Sequence, residues 1–269
     1  MNASARILTL PDVQSWPDSR ALGIEAAGIR NVRCPVTIQG GRSPTATVAT
    51  FTLSVGLAAV ARGTHMSRFI ELLESLEGPL DQIGFRALLL DMLRRLGAES
   101  GEIEMRFPYF VTKTAPVSRV QSRLDYEVCW RGRVSRRLEY SFSMQVLVPA
   151  TSLCPCSKEI SAYGAHNQRS IIRIEVELAG DMPIETLLGI AERSASCEVY
   201  GLLKRADEKY VTERAYENPK FAEDLVRDVA LELNREPQVR AYVVEAENFE
   251  SIHNHSAFAR LSRPSLVES

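Results

Sequence analysis

Cysteine and histidine concentrate in one segment of the chain, from Ser152 to Ser170. Cys154 and Cys156 flank Pro155 there, and His166 follows in the same segment, whose pattern is typical of neither a strand nor a helix. A thiolate and an imidazole on a loop between strands can form half of a transition-metal site. Because no second cysteine pair is available to complete a structural four-thiolate site, the remaining ligands would be histidine or carboxylate. This donor set favours a catalytic metal site with an open coordination position.

The other histidines have both a chemical and a structural interpretation. His253 and His255 share one face if the chain is extended there, so one could bind a metal while the other is polar surface. His65 precedes a helical pattern and could act in proton transfer or serve only in capping or packing. The residues leave these alternatives open.

Composition and charge are those of an ordinary globular protein. The chain has 269 residues, of which 45% are hydrophobic and 25% charged, with a formal net charge of −2. It shows neither a basic excess nor an apolar run of about 20 residues, so we expect no nucleic-acid partner and no membrane partner. The absence of a signal-peptide pattern and the small, odd number of cysteines predict a cytoplasmic protein without a disulfide framework. Cys34, Cys129 and Cys197 are interpreted as small buried hydrophobic residues.

Periodic patterns predict the elements that position the reactive residues. Alternation of apolar and polar residues indicates strands, and apolar residues three and four apart indicate helices. In the first half the predicted elements are strands 32–39 and 45–55, helices 66–76 (capped by Thr64) and 80–96, and strands 102–112 and 119–130. In the second half they are strands 137–148 and 170–178, a helix from Asp181 through Pro183 to 203, a helix that opens at Asn218–Pro219 with Phe221 on its buried face, and strands 239–246 and 257–261.

The order of elements predicts an α+β fold in which helices cover one face of an antiparallel sheet. We interpret it as two tandem ββααββ modules, over 29–133 and 134–269, after an irregular N-terminal segment, 1–28. The alternative is one continuous sheet with four helices on a face.

Several segments resemble the type IB GTP cyclohydrolase I family. The most specific is Ser-Leu-Cys-Pro-Cys-Ser-Lys-Glu-Ile-Ser from Ser152, followed by Gly-Ala-His-Asn-Gln-Arg-Ser from Gly164. Further resemblances, in the family's order, lie at 63–69, 205–213, 216–221 and 250–256. Together they extend over nearly the whole chain.

The resemblance implies a tunnelling fold (T-fold), in which ββααββ modules associate edge to edge into barrels with active sites at subunit interfaces. It therefore implies a homo-oligomer, and we expect a tetramer. The implied metal ligands are Cys154, His166, Glu208 and His253, with Cys156 as a supporting residue near the metal. The ion would be a divalent metal, Zn²⁺ or Mn²⁺ first and also Fe²⁺.

The implied reaction is hydrolysis of GTP at C8 of guanine, giving formate and 7,8-dihydroneopterin triphosphate, the first step of tetrahydrofolate and pterin synthesis. The family's purine-anchoring glutamate falls on Glu223, and either His65 or His255 would transfer protons. On pattern alone, Glu208 and Glu223 would be ordinary helix-surface carboxylates, and Asp207 and Glu213 would be equal candidates. Basic residues in or near the motifs are expected to hold the triphosphate: Lys158, Arg169, Lys204 and Arg205.

Three alternatives remain. One is an archaeal-type relative that forms a cyclic phosphate of dihydroneopterin, which no residue excludes. A second is the NADPH-dependent nitrile reductase of the same fold, whose motif we do not find here and which NADPH consumption would reveal. A third is a non-catalytic purine- or metal-binding protein, which formate release would exclude.

Overall fold

The computed structural model describes residues 11–41 and 43–264. The strands are β1 (Ile24–Gln39), β2 (Pro44–Leu57), β3 (Pro79–Leu80), β4 (Gly101–Thr114), β5 (Gln121–Val134), β6 (Tyr140–Leu153), β7 (Asn167–Leu178), β8 (Cys197–Glu198), β9 (Val239–Asn248) and β10 (Ala257–Arg263). The helices are α1 (Met66–Glu74), α2 (Gln82–Leu96), α3 (Pro155–Ile160), α4 (Ile184–Ser194), α5 (Arg205–Glu217) and α6 (Ala222–Leu233), and a short 3₁₀ turn covers Val13–Ser15.

The strands form one sheet in the order β10-β9-β7-β6-β5-β4-β2-β1-β3, with the short β8 paired to β6. All pairings are antiparallel except that of β1 with β3. The sheet continues across residue 134, because β5 and β6 pair from Glu127↔Leu147 to Val134↔Tyr140. A mixed α+β fold with a large antiparallel sheet is therefore confirmed.

One face of this sheet carries the core. A row of directly paired residues crosses six strands, and every member is buried: Phe51, Met105, Trp130, Met144, Val176 and Tyr242. Phe85 of α2 packs edge-to-face on Trp130, with ring centroids 5.8 Å apart, so the row faces the helices. The opposite face carries charged side chains, among them Arg131, whose guanidinium lies 2.7 Å from Glu104 and 3.3 Å from Glu175.

Helix α2 illustrates how local sequence sets an element's ends. Asp81 caps it by accepting a hydrogen bond from the Gly84 N–H at 2.7 Å, and Gly97 ends it with a φ of 62°. The predicted cap of α1 is wrong: the capping position is His65, without a side-chain cap, and Thr64 is buried with its carbonyl oxygen bonded to the Gln14 side chain.

The second half departs further from the predicted elements. Helix α4 begins after Pro183, not at Asp181, and ends at Ser194 instead of 203, because the chain then turns into the sheet as β8. The helix predicted to open at Asn218 begins instead at Ala222 as α6, because Asn218 terminates a separate helix, α5. Phe221 precedes α6 and is exposed, whereas it was predicted to be buried.

Two further corrections concern segments predicted to be irregular. Residues 155–160 form α3, which Pro155 favours in its first turn. Strand β1 begins at Ile24, inside the segment 1–28, of which residues 1–10 lie outside the described part of the chain. Among the described residues, no helix is both long and apolar enough to cross a membrane.

Candidate metal centre

Cys154 lies at the junction where β6 ends and α3 begins. It occupies the capping position of α3, and its Sγ accepts a hydrogen bond from the Ser157 N–H at 3.4 Å. Its own N–H donates to the carbonyl oxygen of His166 at 3.1 Å. The half-buried thiol thus lies at the start of the loop that connects β6 to β7.

His166 is oriented by a side chain from the strand that follows it. Its Nδ1 lies 2.9 Å from Oε1 of Gln168, and the Nε2 of Gln168 donates to the Ser152 hydroxyl at 2.9 Å. Because Oε1 only accepts hydrogen bonds, this contact assigns the imidazole proton to Nδ1. The lone pair of Nε2 is then available for a cation, as is usual for metal-binding histidines.

The support extends into a buried polar network on β6, β7 and β9. The Ser152 and Ser170 hydroxyls lie 2.8 Å apart, and the Ser170 hydroxyl donates to Oδ1 of Asn248 at 2.7 Å. Ser152, Gln168, Ser170 and Asn248 are all buried. A complete network of this kind gives a rigid base to the imidazole above it.

Glu250 lies between two histidines. Its Oε2 is 3.9 Å from Nδ1 of His166 and 3.5 Å from Nδ1 of His253. The side chains of Glu250 and His166 are each 13% exposed, whereas that of His253 is 52% exposed. The rings of His253 and His255 stack with centroids 5.1 Å apart. Sequence reasoning missed Glu250, although its spacing of three residues from His253 was a usable signal.

Glu208 belongs to another element, helix α5. It is exposed on the first turn of α5. Across residues 11–41 and 43–264, no three histidine, cysteine or acidic side chains are grouped closely enough to hold an ion. The chain therefore brings Cys154 near His166, and His166 near His253, without gathering the four predicted ligands into one shell.

Burial distinguishes Asp207 from Glu208. Asp207 is 0% exposed, and its two carboxylate oxygens accept four hydrogen bonds. Its acceptor capacity is used within the fold, whereas the Glu208 carboxylate is accessible. Of the two, Glu208 is the residue that can serve a ligand.

The residues predicted to bind substrate lie on several elements. Lys158 of α3 donates a hydrogen bond to the carbonyl oxygen of Tyr216, and its Nζ lies 4.5 Å from the centroid of the Tyr216 aromatic ring. Exposed positions are occupied by Cys156 on α3, Arg169 on β7, Lys204 and Arg205 at the start of α5, and Glu223 on the first turn of α6.

His65 lies elsewhere in the fold. Its Nε2 is 3.3 Å from Oδ2 of Asp12. It follows β2, which β4 and β5 separate from β6 in the sheet. A single chain therefore does not bring His65 to the Cys154 junction.

A sequence model of the family described as type I GTP cyclohydrolase folE2 matches residues 10–259. The chain belongs to this family. The relative named GTP cyclohydrolase FolE2 from Cupriavidus necator is 56% identical over 268 residues, covering 100% of both chains. The one of that name from Burkholderia thailandensis is 58% identical over 264 residues, covering 98% of each.

Membership of the folE2 family confirms the recognition made from the motifs around Cys154 and His166. Among solved structures, uricase from Arthrobacter globiformis is similar with a TM-score of 0.55 and 9% identity, covering 92% of this chain and 96% of that one. At this identity the likeness concerns the fold alone.

The side chains of the Cys154 junction suit a divalent cation. A thiol, an imidazole with a free Nε2 and a second imidazole provide sulfur and nitrogen donors, and the Glu250 carboxylate lies within 3.9 Å of both rings. This is the donor chemistry of Zn²⁺ and of neighbouring transition metals.

Proposed function

We propose that this chain is a metal-dependent GTP cyclohydrolase I of type IB, which converts GTP to formate and 7,8-dihydroneopterin triphosphate. The observation that carries the proposal is the folE2 family match over residues 10–259. The relatives from Cupriavidus necator and Burkholderia thailandensis bear the name GTP cyclohydrolase. As a cyclohydrolase of this kind, the enzyme would begin tetrahydrofolate and pterin synthesis.

Cys154 and His166 form the nucleus of the proposed metal site, and His253 and Glu208 complete it. Support comes from the hydrogen bond that joins the first two residues and from the contact that leaves Nε2 of His166 free. Zn²⁺ and Mn²⁺ are the first candidates and Fe²⁺ the next. When bound, such an ion supplies Lewis-acid activation of water near neutral pH.

The remaining residues are proposed to bind and orient GTP. The Glu223 carboxylate accepts hydrogen bonds from N1–H and the 2-amino group of guanine, which selects against adenine. Basic side chains hold the triphosphate, and the candidates are Lys158, Arg169, Lys204 and Arg205. His65 or His255 moves the proton that ring opening requires, and Cys156 supports the metal site.

The proposed assembly is a tunnelling-fold homo-oligomer, with a tetramer expected, built from modules 29–133 and 134–269. Support comes from the open sheet: among the strands of residues 11–41 and 43–264, β10 pairs with β9 alone and so presents one edge to a further strand. The separation of His65 from Cys154 also supports active sites at subunit interfaces, where a partner's His65 could approach. The five free cysteines support a reducing, cytoplasmic location.

The test is GTP turnover by purified protein that has been stripped with a chelator and then given Mn²⁺ or Zn²⁺. Formate and oxidised neopterin are quantified for the wild type, for Cys154→Ala, and for Cys34→Ala as a matched control on the distant strand β1. We expect metal-dependent formate from the wild type and the control, and its loss in Cys154→Ala. A folded oligomer that releases no formate with any of these metals would exclude the proposed activity.

A further inference from the structure

Helix α5 is attached to the protein by its two ends and not by an apolar face. Of its 13 residues only Asp207 and Ala215 are buried. A helix on a protein surface normally buries a continuous apolar stripe, which supplies most of its stability. The position of α5 must therefore depend on its polar contacts.

The contact at the N-terminal end is the Asp207 carboxylate. Its Oδ1 accepts hydrogen bonds from the N–H groups of Val117 and Ser118, both at 2.8 Å. Its Oδ2 accepts from the Lys204 N–H at 2.8 Å and from the Ser118 hydroxyl. One side chain thus fastens the first turn of α5 to the turn between β4 and β5.

The Asp207 side chain is buried, and each of its two carboxylate oxygens accepts two of these hydrogen bonds. Charge-assisted hydrogen bonds from backbone N–H groups are among the stronger polar contacts in proteins.

The contacts at the C-terminal end join α5 to β8 and to the residues on either side of it. Arg214 lies 2.8 Å from Oε2 of Glu198, whose Oε1 accepts from the Tyr200 hydroxyl at 2.6 Å. Just beyond the helix, Asn218 donates to the carbonyl oxygen of Ala195 at 2.9 Å. Since this end is fixed separately, loss of the Asp207 contacts would release the first turn without detaching the whole helix.

Glu208 is the residue that such a release would displace. It follows Asp207 in the chain and is exposed. The N–H groups of Asp207 and Glu208 both donate to the Lys204 carbonyl oxygen, each at 2.9 Å, so the two residues share the first turn of the helix. We propose that Asp207 is a positioning residue that fixes the first turn of α5, so that the neighbouring Glu208 carboxylate is presented to the divalent cation. This inference rests on the proposed function, in which Glu208 is a metal ligand.

Asp207→Asn tests the inference with almost no change of shape. The amide retains one acceptor oxygen but directs an N–H₂ group at backbone or hydroxyl donors, which weakens the attachment. Ser118→Ala is a milder variant that removes one of the four hydrogen bonds. Glu213→Gln is the matched control, because it removes the same charge from an exposed position of the same helix, where the carboxylate lies 3.7 Å from Lys209.

Three measurements are made on the full-length protein. Zn²⁺ affinity is measured by competition with a chelating dye, hydrogen exchange is followed at the amides of α5, and the formate rate is measured against metal concentration. For Asp207→Asn we expect affinity about 10-fold or more weaker, faster exchange in the first turn of α5, and a rate that excess metal restores. Ser118→Ala should shift affinity in the same direction by less, and Glu213→Gln should match the wild type.

The outcomes separate this inference from the proposed function when Glu208→Gln is included. If Glu208→Gln binds Zn²⁺ as tightly as the wild type, the proposed ligand role of Glu208 fails, and this inference fails with it. If Glu208→Gln weakens binding but Asp207→Asn and Ser118→Ala do not, only the positioning role is overturned. A rate that excess metal fails to restore in either Asp207→Asn or Ser118→Ala also contradicts it. If Asp207→Asn does not fold, the Zn²⁺ affinity of Ser118→Ala tests the positioning role instead.

Discussion

The N–H of Cys154 donates to the carbonyl oxygen of His166 at 3.1 Å, although α3 separates the two residues in the chain. Ser157 tightens the same loop, because its hydroxyl donates to the Cys154 carbonyl oxygen and accepts from the His166 N–H, both at 3.2 Å. The loop connects the paired strands β6 and β7, in which Leu153 lies opposite Asn167. The backbone and Ser157 therefore hold Cys154 and His166 next to each other across the loop.

Replacing Glu250 with Gln should weaken metal binding. Oε2 of Glu250 lies 3.5 Å from Nδ1 of His253 and 3.9 Å from Nδ1 of His166, and a carboxylate beside an imidazole ligand increases its basicity. We expect Glu250→Gln to lower Zn²⁺ affinity about 10-fold, as measured by dye competition with the stripped protein. Glu247→Gln is the control, since that carboxylate bonds to the Ser256 hydroxyl. Equal affinities for the two variants would show that Glu250 does not support the site.

Replacing Ser170 with Ala should destabilise the fold. The change leaves the buried Oδ1 of Asn248 and the Ser152 hydroxyl each without one partner, which costs about 1–3 kcal/mol. We expect the free energy of unfolding in urea to fall by this amount. Ser143→Ala, at a half-buried position on β6, should change it by less than about 0.5 kcal/mol. A Ser170→Ala protein as stable as this control would mean that the network contributes nothing to stability.

The cysteines should differ in alkylation rate. Burial raises the pKa of the Cys197 and Cys129 thiols to about 11, whereas Cys156 is exposed. Because the thiolate is the nucleophile, iodoacetamide at pH 8 should label Cys156 first and leave Cys129 and Cys197 unmodified in the folded protein. Peptide mass spectrometry gives the order, and labelling in denaturant, where all five should react, is the control.

The same two thiols predict how stability changes at alkaline pH. Their folded pKa lies above the ordinary value of 9.0, so the folded protein binds more protons than the unfolded chain between about 9 and 11. The contribution of these two thiols to the free energy of unfolding should be fully present below pH 9 and fall as the pH rises towards 11. Cys197→Ala should reduce this slope in urea titrations, and an unchanged slope would contradict the assignment.

Sequence reasoning found the eight long strands because their alternation is regular, but it missed the two-residue strands β3 and β8. It found Cys154 and His166 because both lie in one unusual segment. It missed α5 as a separate helix for a physical reason. With only Asp207 and Ala215 buried, α5 has no apolar stripe that periodicity could detect.

The residues that support the site could not be predicted from the sequence for a different reason. Gln168 and Asn248 occupy inward positions of β7 and β9 that are far apart in sequence, and only the strand pairing brings them together. Polar residues at such positions give no signal in a single sequence. The family resemblance identified ligand candidates, but it carried no information about which neighbours orient them.

The order of the strands also affects how the chain folds while it is being translated. Strand β7 pairs with β6 as soon as the two have formed, but its other neighbour, β9, follows only after α4, α5 and α6. During translation β7 is therefore a temporary edge, whose apolar residues Ile172, Ile174 and Val176 could pair with another nascent chain. A truncation before Val239 would make that edge permanent, so such fragments should aggregate even though they retain both Cys154 and His166.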